Sequence, residues 1–344
     1  MSDLKNLYFE EMTDLIVSLG EKKYRAAQIF DWVHKKRISS IDEMSNLSKS
    51  FAETLKKECY ISEAKTTKRL CSTQDDTIKY LFEMENQGII DSAVIESVRM
   101  KQNYGSTVCV SSQAGCAMAC AFCASTIGGK ERDLTSGEML SQVYSIEKDT
   151  GERVSNIVIM GSGEPLDNYE NSIRFIRLIN DERGANISQR SITLSTCGLI
   201  GGIERLMGEN LQITLAISLH APNDEIRNQI MPISRKNRFG DLMRICREYA
   251  ETTKRRITFE YALIKGLNDS PALAAELARE LRGTLCHVNI IPLNEVKGRA
   301  FEKPNKAITE RFVSVLTKGG LSASVRKEHG ADISAACGQL KNQR

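Results

Sequence analysis

The spacing of apolar positions changes twice along the chain, and each change predicts a different kind of structure. Near the N-terminus Tyr8, Met12, Leu15, Ile16 and Leu19 recur at helical spacing, with Gly20 placed to stop the run. Ala26, Ile29, Phe30 and Val33 make a second apolar stripe beside the single Trp32, Ser40-x-x-Glu43 has the form of a capping box, and Phe51 and Leu55 continue a further helix. Residues 1–66 are therefore expected to form a small helical domain. Over 67–98 the pattern turns to β character, with Thr67–Cys71, Thr77–Met84 and Ile89–Val98 as candidate strands. Turn signals at Ser72-Thr73-Gln74-Asp75-Asp76 and Glu85-Asn86-Gln87-Gly88 separate them, which predicts a short β-meander linker.

From residue 99 to 344 apolar runs alternate with helical stretches. The runs are Thr107–Ser112, Asn156–Gly161, Ser191–Ser195, Gln212–Leu219, Ile257–Leu263, His287–Leu293 and Ala323–Val325. Thr135-x-x-Glu138 caps one of the helices between them, and Asp224 to Met231 begins another. Strand–helix alternation predicts a parallel sheet with right-handed crossovers. Six units and a final strand predict an α/β fold built on a partial (β/α)6 barrel. Barrels carry their reactive groups at the C-terminal ends of the strands. Polar candidates fall there: Gly163-Glu164 after the second run, Ser195 at the third, Ser218-Leu219-His220 at the fourth and Asn294 at the sixth.

Composition adds limits. At 344 residues there is room for one large domain and a small one, and 41% hydrophobic content is ordinary for a globular protein. No apolar run is long enough to span a membrane, and the N-terminus lacks the layout of a signal peptide. Ten cysteines without a secretory signal predict a reducing, cytoplasmic setting where thiols serve metals or catalysis. A net charge of +3 permits a nucleic-acid partner without demanding one.

The sharpest chemistry lies in Gly115-Cys116-Ala117-Met118-Ala119-Cys120-Ala121-Phe122-Cys123, where three cysteines have the spacing C-x-x-x-C-x-x-C. Structural zinc wants four Cys or His ligands, and no fourth completes the loop. Three thiolates on a 4Fe–4S cluster leave one iron free for a non-protein ligand. Buried packing cysteines are the plain alternative.

Cys116, Cys120 and Cys123 resemble the cluster triad of the radical S-adenosylmethionine (SAM) superfamily. Val108-Cys109-Val110-Ser111-Ser112-Gln113-Ala114-Gly115 before them, Ala124-Ser125-Thr126-Ile127-Gly128-Gly129 after them and Asp332-Ile333-Ser334-Ala335-Ala336-Cys337-Gly338-Gln339-Leu340 resemble the RlmN family of RNA adenine-C2 methyltransferases, a sibling of the C8-specific Cfr enzymes. The likeness runs from about Tyr24 to Leu340. It implies one 4Fe–4S cluster per chain on three cysteines, and SAM held by Gly163, Glu164, Ser195, Ser218, Leu219, His220 and Asn294. It implies that Cys337 carries a methyl group from one SAM while a second yields a 5′-deoxyadenosyl radical. Cys109 is then the partner thiol, closing a transient disulfide with Cys337. Glu96 or Cys109 takes the adenine proton, although a glutamate between Ile95 and Ser97 on a strand is by default exposed. The implied substrates are 23S rRNA and adenosine 37 of tRNA. An electron donor such as flavodoxin or ferredoxin, a monomeric state and an RNA-handling N-terminal domain are implied with them. Glu164-Pro165-Leu166 favours C2 over C8, whereas Ser162, Ala117, Ala119, Ala121 and Leu293-Asn294-Glu295 depart from the usual family residues. A C8 enzyme, a non-catalytic iron–sulfur RNA-binding protein and a zinc-stabilised module are the competing readings. Cys59, Cys71, Cys197, Cys246 and Cys286 are expected to be packing residues.

Overall fold

A computed structural model describes residues 1–85, 93–102 and 105–340. Residues 86–88 of the expected second turn and 89–92 of the strand after it lie outside the described residues. Seven parallel strands follow one another in space in the order of the chain: Gly105–Cys109, Val154–Ile159, Ile192–Thr196, Thr214–Ser218, Ile257–Leu263, Cys286–Pro292 and Ala323–Val325. A helix fills each crossover: Ser136–Thr150, Tyr169–Asn180, Ile200–Met207, Phe239–Thr253, Pro271–Glu280 and Lys306–Lys318. The strands are β-branched and apolar because both faces are covered. Ile157, Leu194, Leu215, Ile217, Phe259, Tyr261, Val288 and Ile290 are all buried. Such a sheet curls into the open barrel that the alternation predicted.

The three antiparallel strands Glu63–Cys71, Ile78–Glu85 and Ala93–Gln102 extend this sheet rather than stand apart from it. Ala93–Gln102 pairs with Gly105–Cys109, placing Val98 opposite Cys109, so ten strands form one sheet among the described residues. The first of them starts at Glu63, earlier than the apolar pattern suggested.

Helices Phe9–Ser18, Tyr24–His34 and Lys49–Glu58 close around Leu4, Met12, Ile16, Ile29, Phe30, Val33, Phe51 and Leu55. The Ser40–Glu43 capping box is present but encloses only the short 3-10 turn Ile41–Glu43. Polar contacts fasten this region to the helix Ser136–Thr150. Lys5 Nζ donates to Ser62 O (2.7 Å) and Ser141 Oγ (3.0 Å), His34 Nδ1 meets Tyr144 OH (3.0 Å), and Arg37 pairs with Glu147 (2.9 Å). That helix begins at the capping box foreseen at Thr135 and Glu138. No helix among the described residues is long and apolar enough to cross a membrane.

Candidate active site

The stretch between the first barrel strand and its helix folds as a tight loop held by several backbone hydrogen bonds. Cys116 N donates to Gly129 O (3.1 Å), Ala121 N to Ile230 O (2.8 Å) and Cys123 N to Cys120 O (3.2 Å). Thr126 Oγ1 donates to the carbonyls of Cys120 and Cys123, and Arg299 holds Thr126 from outside (3.0 Å). The result turns Cys116, Cys120 and Cys123 into one cavity. Burial pushes the Cys116 thiol up to about 12 and raises Cys120 and Cys123 as well. Three such groups side by side hold protons unless a cation converts them to thiolates.

Opposite the loop lie the strand ends. Gly163 has φ +105°, and a Cβ there would stand 2.6 Å from Gln113 Cβ, so only glycine lets the turn close on the cavity. Glu164 Oε2 accepts from Cys197 N (2.7 Å) and Oε1 from Leu166 N (3.0 Å), which aims the carboxylate along the wall. Burial raises its carboxyl, and the two amides oppose that rise. Ser195, Ser218, His220 and Asn294 line the same cavity. His220 sits at φ +58°, uncommon for a residue with a side chain. Its Nδ1 accepts from Ala262 N (2.8 Å), which assigns the proton to Nε2, and burial with the Arg227 cation pushes the imidazole down to about 3. Leu219 is also at this strand end but turns away: its side chain is buried and its amide donates to Glu260 O (3.0 Å).

The C-terminal segment forms the remaining wall. Asp332 accepts from Ser72 Oγ (2.7 Å), Thr73 N (2.8 Å) and Thr73 Oγ1 (3.0 Å). Asn294 Nδ2 donates to Cys337 O (3.0 Å), Ala124 N to Gly338 O (2.7 Å) and Ser125 Oγ to Leu340 O (2.7 Å). The small residues Ala335, Ala336 and Gly338 let this segment lie against the cysteine loop. Cys337 borders the first cavity and also a second, smaller one that it shares with Cys109, Val98, Met100 and Met160. Burial pushes the Cys109 thiol up to about 12. None of the ten cysteines is in a disulfide.

Glu96 lines neither cavity. Contrary to the default for a strand glutamate, it is buried, because the meander face it occupies is covered by the C-terminal segment. Lys79 on the neighbouring strand pairs with it and donates also to Ser334 O (3.0 Å). Several other groups escaped the sequence reading. Arg227 is fully buried and ties two strand ends together, donating to Leu219 O (3.2 Å), Cys197 O (2.7 Å) and Asn237 O (3.2 Å). Asn268 bonds His220 O (2.8 Å) and Ala262 O (2.7 Å) and so fixes the turned histidine. Glu260 and Arg326 line the first cavity from the strands on its far side. Cys197 packs beside Cys120 as expected but borders the cavity too, while Cys71 is exposed rather than packed. A single polar residue carries no spacing signal, which is why Arg227, Asn268, Glu260 and Arg326 were invisible.

Among the described residues no three Cys, His, Asp or Glu side chains converge on a single ion. A cubane cluster is several ångströms across, so its ligands need only face one space. The loop does this, and amides of Met118, Ser125 and Thr126 donate toward Cys116 and Cys123 in the manner that supports bound thiolates. A glycine edge, a fixed carboxylate and strand-end hydroxyls beside it suit an amino acid carrying an adenosine. The donor set therefore fits a 4Fe–4S cluster with SAM.

Comparison with known proteins points the same way. The family model of the ribosomal RNA large subunit methyltransferase N-terminal domain matches residues 2–61, and that of the radical SAM superfamily matches residues 110–278. A probable dual-specificity RNA methyltransferase RlmN from Alkaliphilus oremlandii is 51% identical over 341 residues, covering 99% of this chain and 98% of the relative. One of the same description from Clostridium novyi is 50% identical over 341 residues, covering 99% and 98%. The crystal structure of a radical SAM methyltransferase from Sphaerobacter thermophilus superposes with a TM-score of 0.95 at 42% identity, covering all of both chains. Half of all positions shared along nearly the full length, on the same architecture, leaves one assignment: the chain belongs to the RlmN family of radical SAM methyltransferases.

Proposed function

We propose that this chain methylates C2 of adenosine in 23S rRNA, at the peptidyl transferase centre, and of adenosine 37 in tRNAs, using a methyl group carried on Cys337. One observation carries the reading: Cys337 borders both the cavity of the three cysteines and the cavity of Cys109. A carrier must receive its methyl on one side and be resolved by a second thiol on the other.

Cys116, Cys120 and Cys123 would hold the cluster. Gly163, Glu164, Ser195, Ser218, His220 and Asn294 would orient SAM, with Leu219 contributing backbone. When bound, cluster and cofactor supply an electrophilic methyl group and, on reduction, a 5′-deoxyadenosyl radical. Asn294, through its bond to the Cys337 carbonyl, couples the cofactor wall to the carrier. Cys109 would attack the Cys337 sulfur to free the product. For the adenine proton the support is stronger for Cys109, which shares a cavity with Cys337, than for Glu96, which is held behind it by Lys79.

Residues 1–66 are read as the RNA-handling domain, 67–98 as the meander and 99–344 as the catalytic barrel. Lys36 Nζ over the Trp32 ring (3.3 Å to its centroid) and the exposed Tyr24 with Arg25 beside it give the first of these the mixed aromatic and basic surface that single-stranded RNA favours. A flavodoxin- or ferredoxin-type donor, a monomeric state and a cytoplasmic setting complete the proposal.

The test is mass spectrometry of nucleosides and of the tryptic Cys337 peptide after anaerobic reconstitution with SAM, reductant and 23S RNA or tRNA. Methylated Cys337 and 2-methyladenosine are expected. Appearance of 8-methyladenosine would transfer the chain to the C8 reaction. A reconstituted cluster with unmodified RNA and no SAM consumed would sink the proposal altogether.

A further inference from the structure

A half-buried thiol, Cys337, and a buried one, Cys109, share the second cavity with Arg326. Arg326 lines both cavities. Its amide donates to Ile290 O (2.8 Å), continuing the pairing of the edge strand and fixing where the side chain starts. Its Nη1 stands 3.7 Å from Glu260 Oε2 and 3.5 Å from Met160 Sδ. Glu260 is buried and held in turn by Asn289 Nδ2 at 3.0 and 3.3 Å from its two oxygens.

This is a built arrangement rather than a rim charge. Met160, Ile291, Asn294, Arg326 and Cys337 are the residues that line both cavities, and Arg326 is the charged one among them. The other charged groups around the second cavity are engaged or exposed. Glu328 pairs with Lys303 (2.6 Å), His329 lies 3.4 Å from Asp75, and Lys327 is at the exposed edge.

We propose that Arg326, anchored on Glu260, is a positioning residue that supplies the counter-charge for the Cys337 thiolate. The inference rests on the reading of Cys337 as methyl carrier. In that step the Cys337 thiol gives its proton to solvent, and the sulfur pair forms the new bond to the methyl carbon. The bond from that carbon to the sulfonium breaks, and its electron pair stays on the departing sulfur and cancels its positive charge. A guanidinium beside the attacking sulfur stabilises the anion from which the pair is drawn.

The experiment measures alkylation of Cys337 by iodoacetamide in the reconstituted full-length protein, read peptide by peptide with the exposed Cys71 as internal reference. Arg326→Gln should slow Cys337 about tenfold while Cys71 is unchanged, since a guanidinium beside the sulfur favours the thiolate that reacts. Arg326→Lys should restore most of the rate. Glu260→Gln, which frees the guanidinium from its carboxylate, should leave Cys337 at least as reactive as in the parent protein. Lys327→Gln, at the edge of the same cavity, should have little effect. Wild-type reactivity in Arg326→Gln, or an equal loss in Lys327→Gln, would overturn the proposal. If Arg326→Gln does not fold, Glu260→Gln still decides, because slower alkylation there contradicts the counter-charge. Failure of the carrier reading would look different: Cys337 would stay unmethylated by SAM while the charge effect on alkylation persisted.

Discussion

Lys79 Nζ lies 2.9 Å from Glu96 Oε2, and both side chains are almost completely closed to solvent. The two belong to adjacent antiparallel strands, and the lysine also donates to Ser334 O, three residues before Cys337. A buried ion pair thus underlies the C-terminal wall of the site. Removing the lysine takes away the buried carboxylate's ion-pair cation, so Lys79→Met should destabilise the fold by up to about 3–5 kcal/mol. The double variant Lys79→Met/Glu96→Leu should recover much of that loss. Urea unfolding of the three proteins checks the ordering, and equal stability of single and double variants would refute it.

The metal chemistry is open to direct assay. Cys116→Ala, Cys120→Ala and Cys123→Ala should each reduce reconstituted iron from roughly four atoms per chain to near none and abolish the brown absorbance. Cys197→Ala, on the same cavity, should keep both. Zinc in place of iron, or loss of iron in Cys197→Ala, would show that the ligand set is wrong.

Gly163→Ala tests the glycine edge. The substituted carbon would crowd Gln113 and occupy a positive φ, at a cost of about 1–3 kcal/mol. Since the turn also carries Glu164, SAM binding measured by calorimetry should fall further than the melting temperature alone implies. Unchanged affinity would mean that the turn does not border the cofactor.

Acid should weaken the fold through two histidines. Burial, with Lys5 adding, pushes His34 from 6.5 down to about 3, and burial with Arg227 does the same to His220. Between those limits the unfolded chain binds protons that the folded chain refuses, so stability is complete above pH 6.5 and is lost as pH falls. Each group contributes up to about 1.4 kcal/mol per pH unit in that window. Carboxyls raised by burial, such as Glu164, act in the opposite sense, so the comparison must be internal. Urea midpoints between pH 7.5 and 4.5 should decline less steeply in His34→Gln than in the parent protein. Parallel curves would argue against a neutral buried His34.

Asp332 is the outermost fastening of the segment that holds Cys337. Asp332→Ala removes its three bonds to Ser72 and Thr73. Proteolysis after residue 330 should quicken, and RNA methylation should fall roughly ten- to hundredfold, as expected when a reacting group is held loosely. Iron content should not change. A tail as resistant as the parent's would show that the other contacts suffice.

The parts of this molecule that repeat or cluster could be read from the chain. The helical stripes, the strand–helix alternation and the cysteine spacing are patterns over many positions, and the strands and the loop stand where those patterns put them. What escaped depends on contacts between distant segments. Glu96 looked exposed because strand alternation does not reveal that a segment more than two hundred residues away covers that face. Arg326, Arg227, Glu260 and Asn268 are single polar residues whose meaning comes from the carbonyls, sulfurs and carboxylates they meet in space. The Ser40 box was read correctly as a cap, but the turn it caps is too short to be the helix it suggested.

The fastening of the Cys337 segment also has a consequence in time. Apart from Gly338 and Leu340, the residues that line the two cavities precede Cys337 in the chain, so the cysteine loop and most of the strand ends can fold before residues 330–340 dock. Docking of residues 330–340 is then an intramolecular association, driven by the high local concentration of a tethered strip rather than by affinity alone. The loop of Cys116, Cys120 and Cys123 can be built first, and the sulfur of Cys337 docks beside it last. Any chain released before that strip is made has the three-cysteine loop without Cys337 beside it.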